Sequence, residues 1–440
     1  MKQLKIGLLG LGQVGKGVYS ILRSKRADLA RKCGTSLRIV KIAVRNPAKR
    51  RGVRPSRHQL TADAHQVVRD PSVDVVVELI GGINPAKELI REALRTNKDV
   101  VTANKALLAE HGRQLFREAQ KRGRHLLFEA SVGGGIPVIK VVREGLIANR
   151  IRSIRSIING TSNYILTQMS KSHLDFKEAL ALAREKGYAE ADPTLDVEGT
   201  DAAHKLTILA SLVFGGWIRF RDIYVDGISR IRSEDISFAE EFGYAIKLLA
   251  IAKKTPSGVE AQVRPTLLPK SHVLSSVNGS YNAVLMSGDE VGEILLYGRG
   301  AGSLPTGSAV VSDLADLARM RLGGIHHPFH MDFRSLPVRN VALLSSRYYL
   351  RFHVVDQPGV LAKISHVLGR HQVSISDVIQ KEQRIGGVVP LILLTHRASE
   401  RALRRAIHRI NQLTVTRGKA QVLRIEDDPP PTVSVRRHGG

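Results

Sequence analysis

The 440-residue chain reads as an α/β protein in three parts: a parallel sheet covered on both faces, a mixed α+β middle, and a small C-terminal β-α-β-β-α-β unit. Three observations predict this. Val- and Leu-rich runs alternate with amphipathic stretches over the first 137 residues, which is the pattern of a parallel sheet flanked by helices. From about Ile151 the alternation gives way to a mixture of short strands and helices. After residue 346 six short periodic segments follow in ferredoxin-like order. A chain of this length also exceeds what one core normally accommodates.

The elements follow in order. "LKIGLL" (4–9) is an apolar strand that meets "GLGQVG" (10–15) and then the amphipathic "VGKGVYSILRSKRADLA". "LRIVKIAVR" is a second strand, and "VDVVVELIGG", "DVVTAN" and "HLLFEAS" supply further ones, with "PAKELIREALRTN" and "EHGRQLFREAQKRG" as helices between them. In the middle part, 138–304, "IRSIRSIING" is strand-like, "FKEALALAREKG" is an amphipathic helix, and "TDAAHKLTILASLVFGG" is a helix apolar nearly all round, with Thr200 as its expected cap. "EAQVRPTLLP", "YNAVLMSG" and "GEILLYGRGAG" are strands. The helix over about 305–322, with Pro305 just ahead of it, is expected to return and complete the first domain, 1–137. Residues 324–346 read as a linker, 347–426 as the ferredoxin-like unit, and 427–440, with three consecutive prolines, as a disordered tail.

Composition narrows the function. The formal charge is +27, and residues 1–60 hold sixteen Lys or Arg against the single acid Asp28. Such a field draws polyanions, whether nucleic acid or a phosphorylated cofactor, unless it is solvated charge serving solubility. The single cysteine, Cys33, excludes an internal disulfide or a Cys-based metal cluster and fits a reducing cytoplasm. No apolar run is long enough for a membrane helix, and the glycine-interrupted N-terminus is not an export signal.

Gly10, Gly12 and Gly15, with Gln13 and Val14 between them, form G-x-G-x-x-G directly between a strand and a helix. In that context the turn is expected to cradle a pyrophosphate on the free N–H groups of the helix end, as in a Rossmann-type dinucleotide-binding domain, a tight turn that holds no ligand being the alternative. The second strand ends in "AVRNPAKRR", where an NAD-preferring sheet carries an acid. Arg45 and Lys49 instead favour the 2′-phosphate of NADP(H) over NAD(H), a solvated basic loop being the alternative.

The stretch "EADPTLDVEGTDAAHK" packs five carboxylates into sixteen residues and closes on Lys205. Asp201 and Lys205 fall one turn apart on one face of a helix ringed by Ala202, Ala203, Leu206, Ile208 and Leu209. A buried ammonium must be paired or lose its proton, so Lys205 is an acid–base candidate, and a purely structural ion pair is the competing reading. Glu190, Asp192, Asp196 and Glu198 form an acidic loop that calls for a cation, either a metal or an amine; with His204 the nearest histidine, an amino group on the substrate is favoured. "IHHPFH" (325–330) lacks the acids a metal site wants. Trp217 reads as packing, and Gly81–Gly82 as a close backbone approach or a plain turn.

Here a resemblance enters. "GLGQVG" (10–15), "TANK" (102–105), "EASVGGGIPVI" (129–139), "NGTSNYIL" (159–166), "GYAEADPTLDVEGTDAAHKL" (187–206) and "GRGAGSLPTGSAVVSD" (298–313) resemble homoserine dehydrogenases of the single-function type, and "DQPGVLAKI" (356–364) resembles an ACT domain. The resemblance implies a Rossmann-type domain, a mixed α+β substrate and dimerisation domain, and a C-terminal ferredoxin-like ACT domain. It implies NADPH-linked reduction of L-aspartate 4-semialdehyde to L-homoserine, and the reverse. It implies Lys205 as proton donor, Lys105 as a second lysine at the carbonyl and near the cofactor, and Asp201 orienting both substrate and Lys205. Glu190 and Asp196 would serve the substrate, Asn159, Gly160 and Thr161 would line its pocket, and Gly300 and Gly302 would approach the nicotinamide. Backbone carbonyls of Glu129, Val132, Gly134 and Ile136 would hold a monovalent cation, Na+. It further implies a homodimer or homotetramer, and L-threonine at the ACT domain near Asp356, Gln357, Pro358 and Gly359.

Two other readings compete with this one. A redox-sensing DNA regulator would use the basic surface, but the sequence carries no helix-turn-helix or zinc finger and would leave the acidic cluster without purpose. A catalytically dead amino-acid sensor is opposed by the retention of Lys105, Glu190, Asp201 and Lys205. Neither nucleic acid nor membrane is an expected partner.

Overall fold

The computed structural model describes residues 3–324, 331–381 and 387–427. Its first unit runs β1 (Gln3–Leu9), α1 (Gln13–Ser24), α2 (Arg26–Cys33), β2 (Ser36–Ala43), β3 (Leu60–Thr61), α3 (His65–Val68), β4 (Val75–Glu78), α4 (Ala86–Arg95), β5 (Asp99–Thr102), α5 (Lys105–Lys121) and β6 (Leu126–Leu127). The six strands lie in the order β3-β2-β1-β4-β5-β6, all pairings parallel, so the chain reverses direction across the sheet between β1 and β4. That switch point is where the carboxyl ends of parallel strands open a ligand crevice. Every residue of β4 and β5 is buried, as a strand covered on both faces requires. The long amphipathic stretch after the glycines is two helices, broken at Lys25.

The middle part holds α6 (Val138–Lys140), β7 (Ile151–Ile157), α7 (Gly160–Ser172), α8 (Phe176–Glu185), α9 (Thr194–Val197), α10 (Thr200–Val213), β8 (Tyr224–Val225), α11 (Ser233–Glu241), β9 (Tyr244–Thr255), β10 (Gly258–Pro269), β11 (Tyr281–Gly288), β12 (Glu293–Arg299) and α12 (Ser303–Leu322). Helix α12 crosses back onto α1. An added Cβ on Gly17 would sit 2.0 Å from the Ser303 carbonyl oxygen and one on Gly307 2.9 Å from the Gly17 carbonyl carbon, so glycine on both helices permits the crossing. Pro305 lies inside the first turn of α12 rather than ahead of it, where its missing N–H costs no helical bond. Thr200 is not the cap of α10. Gly199, in the left-handed conformation at φ 84°, occupies that position with no side-chain hydrogen bond.

The last unit is β13 (Ser345–Val355), α13 (Val360–Arg370), β14 (Ile375–Ile379), β15 (Val388–Thr395), β16 (Ala398–Ser399), α14 (Glu400–Ile410) and β17 (Gln421–Ile425). It is not a separate bead. Parallel pairing of Thr266 with Arg424 and Leu267 with Ile425 joins it to the middle part in one sheet, β12-β11-β7-β9-β10-β17-β13-β15-β14. Buried ion pairs cross the junction: Arg351 to Asp235 at 2.7 Å, Arg264 to Glu400 at 3.1 Å and Arg155 to Glu426 at 3.2 Å. Cavities of about 360 and 650 Å³ lie at the same junction, remote from Lys205. Residues 334–339 run along the middle part, hydrogen-bonding Trp217 and Val259. The histidines at 325–330 and the tail from 428 lie outside the described residues. No described helix is long and apolar enough to cross a membrane.

Candidate active site

The glycine turn sets the first wall. Gly10 has φ 97°, and a Cβ there would lie 2.8 Å from the Leu79 carbonyl oxygen; one on Gly15 would lie 2.3 Å from the Gly10 oxygen. Gly12, the cap of α1, is different: a Cβ there meets nothing within 4 Å. Two glycines thus close the turn while the third faces open space at a helix N-terminus, which fits a pyrophosphate. Gln13 and Val14 begin α1. Arg45 and Lys49 stand exposed in the loop after β2, while Arg51 folds back onto the carbonyls of Lys49 and Asn46.

The second wall is organised by Glu78, which the sequence reading did not single out. Buried at the end of β4, it accepts from the N–H groups of Ile80 (2.9 Å) and Gly81 (3.1 Å) and from the Thr102 hydroxyl (2.6 Å). Asn104 caps α5 through Leu107 N and donates to the Gly82 carbonyl at 2.7 Å. The Gly81–Gly82 loop and the start of α5, which is Lys105, are therefore fixed to each other. The available signal was a carboxylate closing an apolar strand just before two glycines.

Lys105, Asp201 and Lys205 converge. Asp201 Oδ1 lies 3.0 Å from Lys105 Nζ, and Asp201 Oδ2 accepts from Lys205 Nζ at 2.7 Å. Lys205 also donates to the Ile158 carbonyl at 2.7 Å, a backbone group at the end of β7 that no side-chain pattern could announce. Asp201 and Lys205 are buried, whereas Lys105 remains 45% exposed along its side chain. Burial pushes the Asp201 carboxyl up, but the two ammoniums outweigh it and hold the group well below the usual carboxylate range. Burial drives Lys205 down from the ordinary lysine value, while the Asp201 charge raises Lys105. Two lysines on one carboxylate therefore titrate in opposite directions.

Asn159, at the cap of α7, donates to Asp196 and Asp201, while its own carbonyl accepts from Ser162 N. Gly160 starts that helix, and Thr161 donates to the Tyr188 carbonyl at 2.8 Å. The five carboxylates do not all converge. Asp192 is spent on its own turn, bonding Thr194 N and Oγ1, and Glu198 is exposed. Glu190 is exposed and contributes to the field at Lys105.

The third wall is a pair of glycine loops. Gly134 (φ 58°) lies so close to the Gly300 carbonyl that a Cβ would sit 2.2 Å from its oxygen, and Gly302, at φ 124°, caps α12. Glu129, Val132, Gly134 and Ile136 are all buried. The Glu129 carboxylate accepts from Ile139 N and Lys140 N, its N–H donates to Asp313 of α12, and burial pushes it up to about 7. Among the described residues no group of three His, Cys, Asp or Glu side chains is arranged around a metal.

Models described as "Homoserine dehydrogenase", "Homoserine dehydrogenase, NAD binding domain" and "ACT domain" match residues 137–315, 10–129 and 348–412. Homoserine dehydrogenases of Pseudomonas aeruginosa and Bacillus subtilis are 45% and 41% identical to the chain, each over 97% of it and 99% of the relative. A crystal structure of a homoserine dehydrogenase from Thiobacillus denitrificans superposes with a TM-score of 0.92 at 45% identity, covering 97% of this chain and 99% of that one. A Rossmann-like unit, two lysines on one buried carboxylate and matches along nearly the whole length agree: the chain belongs to the homoserine dehydrogenase family of NAD(P)-dependent oxidoreductases, with a C-terminal ACT domain.

Proposed function

We propose that the protein catalyses the reversible NADPH-dependent reduction of L-aspartate 4-semialdehyde to L-homoserine, a step toward threonine, methionine and isoleucine, under feedback by L-threonine. The observation that carries the reading is the Lys105–Asp201–Lys205 cluster, in which the buried Lys205 is driven down while its carboxylate partner stays ionised.

When bound, a nicotinamide dinucleotide would supply the hydride that the carbonyl carbon takes up. Lys205 Nζ donates the proton that the carbonyl oxygen needs as negative charge develops on it, and its lowered proton affinity suits it to both directions. Asp201 holds Lys205 in place and keeps Lys105 charged at the mouth, where the second ammonium steadies the same oxygen. Glu190 receives the substrate's ammonium, Asp196 and Asn159 flank it, and Gly160 and Thr161 line the pocket. Gly10, Gly12, Gln13, Val14 and Gly15 would hold the pyrophosphate, Arg45 and Lys49 the 2′-phosphate, and Gly300 and Gly302 would approach the nicotinamide.

The carbonyls of Glu129, Val132, Gly134 and Ile136 offer the oxygen donors of a hard cation, consistent with Na+ ordering the turn between domains. The ACT turn at Asp356–Gly359, where Gly359 has φ 85°, is the position for L-threonine. Strand β12 leaves Leu295 and Tyr297 exposed at the edge of the long sheet, which supports a homodimer or homotetramer. The test is NADPH formation, followed at 340 nm with homoserine and NADP+, for wild type and Lys205→Ala. We expect turnover in the first and a loss of roughly 10²- to 10⁴-fold in the second. Equal turnover by a folded Lys205→Ala protein overturns the assignment.

A further inference from the structure

We infer that Asn282 is a positioning residue of this reaction: its buried amide, unpaired between the Gly160 turn and the Gly300 loop, is the group that backbone of both engages when cofactor and substrate bind. The inference rests on the reading of those two glycines as opposite sides of the catalytic cleft.

Asn282 is the second residue of β11 and is 1% exposed, yet neither Nδ2 nor Oδ1 has a hydrogen-bond partner. Strand β11 runs between β7 and β12. Asn282 pairs with Gly298 and its neighbour Ala283 with Ile157, so the amide lies where β7 gives way to Ile158, Asn159 and Gly160. A Cβ on Gly160 would approach Asn282 Oδ1 to 3.6 Å and the Ser280 carbonyl oxygen to 2.8 Å. A Cβ on Gly300 would lie 1.9 Å from Asn282 Nδ2 and 2.5 Å from Oδ1. Asn282 therefore fills the space that both glycines leave, one on the strand end that supports Lys205, the other on the loop toward the cofactor.

A buried amide without partners bears the full desolvation penalty of a donor and an acceptor, and nearly all such groups in folded proteins are paired. An apolar side chain of the same volume would be better tolerated at this position if packing were its only task. The amide is complementary to peptide N–H and C=O groups, and both adjoining loops are peptide-rich. The first N–H groups of α7, at Gly160 and Thr161, have no partner within the helix. The Gly300 loop already lies against the amide, so a reorientation of its peptide groups in place would let Asn282 bond backbone on both sides, and so couple cofactor seating to the strand that delivers Ile158 and Asn159.

The experiment uses the full chain. Asn282→Leu keeps the volume and removes both polar atoms, and Asn282→Ala, with turnover normalised to folded protein, stands in should Leu not pack. We expect the ligand-free melting temperature of Asn282→Leu to equal or exceed that of wild type, its kcat to fall roughly ten- to hundredfold, the scale of one or two lost hydrogen bonds, with little change in KM for homoserine, and its melting shift on adding NADPH to shrink. Asn282→Asp, which keeps the acceptor, should recover part of the NADPH shift. A kcat within twofold of wild type, or an undiminished NADPH shift, overturns the proposal. So does a ligand-free destabilisation in both Leu and Ala variants at unchanged turnover, which would mean the amide is already satisfied, for example by water. Wild-type turnover of homoserine tests the functional reading separately, and the melting shifts report on Asn282 whether or not that reading holds.

Discussion

Asn159 Nδ2 donates to Asp201 Oδ2 at 2.8 Å, and the same nitrogen donates to Asp196 Oδ1 at 2.7 Å. One amide thus holds two partly or fully buried carboxylates in register at the start of α7. Burial and the Asp201 charge both push Asp196 up, so the pair is tolerated only while something donates to it. Asn159→Ala should lower kcat/KM for homoserine by about 10- to 100-fold through misplacement of Asp201, the scale of one to two lost charge-assisted hydrogen bonds. Asn159→Asp, which adds a third acid, should be worse. Steady-state kinetics on the two variants decide it, and an Ala variant as active as wild type would remove Asn159 from the site.

The pH dependence follows from Lys205. Burial lowers its proton affinity from the ordinary lysine value of 10.5, so the ammonium is lost at a lower pH than in the unfolded chain. Aldehyde reduction requires the protonated form, so its kcat should decline as pH rises through that lowered value. Homoserine oxidation requires the neutral amine and should rise over the same window. Profiles of kcat in both directions check this: if both rise together, Lys205 is not the group being titrated. Lys205→Arg, which stays protonated, should flatten the alkaline limb at a much lower rate.

Much of this was legible in the sequence because the features are local. The glycine spacing, the i,i+4 relation of Asp201 and Lys205 and the apolar ring around them each lie within one helix or turn. What escaped is non-local. The Ile158 carbonyl meets Lys205 across 47 positions, and backbone carries no residue signature. Glu78 matters only because Thr102 and the loop at residues 80–82 fold against it. The acidic loop was over-read, since composition cannot distinguish Asp192, which turns onto Thr194, from Asp196, which faces Asn159. The continuous sheet through the ACT domain rests on two parallel residue pairs, too short to mark either strand.

The glycine turn separates binding from folding. Gly12 has φ −79°, and its missing Cβ faces open space. Gly12→Ala should therefore leave the melting temperature within a degree or two and raise KM for NADPH by about tenfold or more, since the methyl occupies the pyrophosphate's approach. Gly15→Ala drives a Cβ to 2.3 Å from the Gly10 oxygen and should cost about 1–3 kcal/mol of stability as overpacking. Thermal melts and cofactor titrations on both variants would expose any reversal of this pattern.

If the proposed cofactor choice is right, it would rest on Arg45 and Lys49, which stand exposed in a loop without acids. Arg45→Ala should reduce kcat/KM with NADPH by about tenfold, the worth of one charge-assisted contact, and leave that with NADH nearly unchanged. Equal losses with both cofactors would place Arg45 outside the 2′-phosphate site.

Glu426 ties the ACT domain to the strand that ends at the catalytic cluster. It is 2% exposed and meets Arg155 of β7 at 3.2 Å, Arg424 of β17 at 3.7 Å and Lys253 of β9 more closely. Burial pushes its carboxyl up, but the three cations prevail and hold it down at about 2, against 4.5 in the unfolded chain. A depressed carboxyl contributes stability that is fully present above pH 4.5 and is lost as pH falls from there toward 2. Glu426→Gln removes the charge that Lys253, Arg424 and Arg155 share and should cost about 3–5 kcal/mol near neutral pH. The gap in melting temperature between wild type and variant should then narrow on acidification through that window, and a gap constant with pH would show that the charge is not what Glu426 contributes. Because Arg155 stands three residues before Ile158 on the same chain segment, loosening it should also shift the carbonyl that Lys205 bonds. Residual folded Glu426→Gln enzyme should therefore turn over more slowly, whereas loss of stability with kcat intact would confine the ion cluster to holding the sheet together.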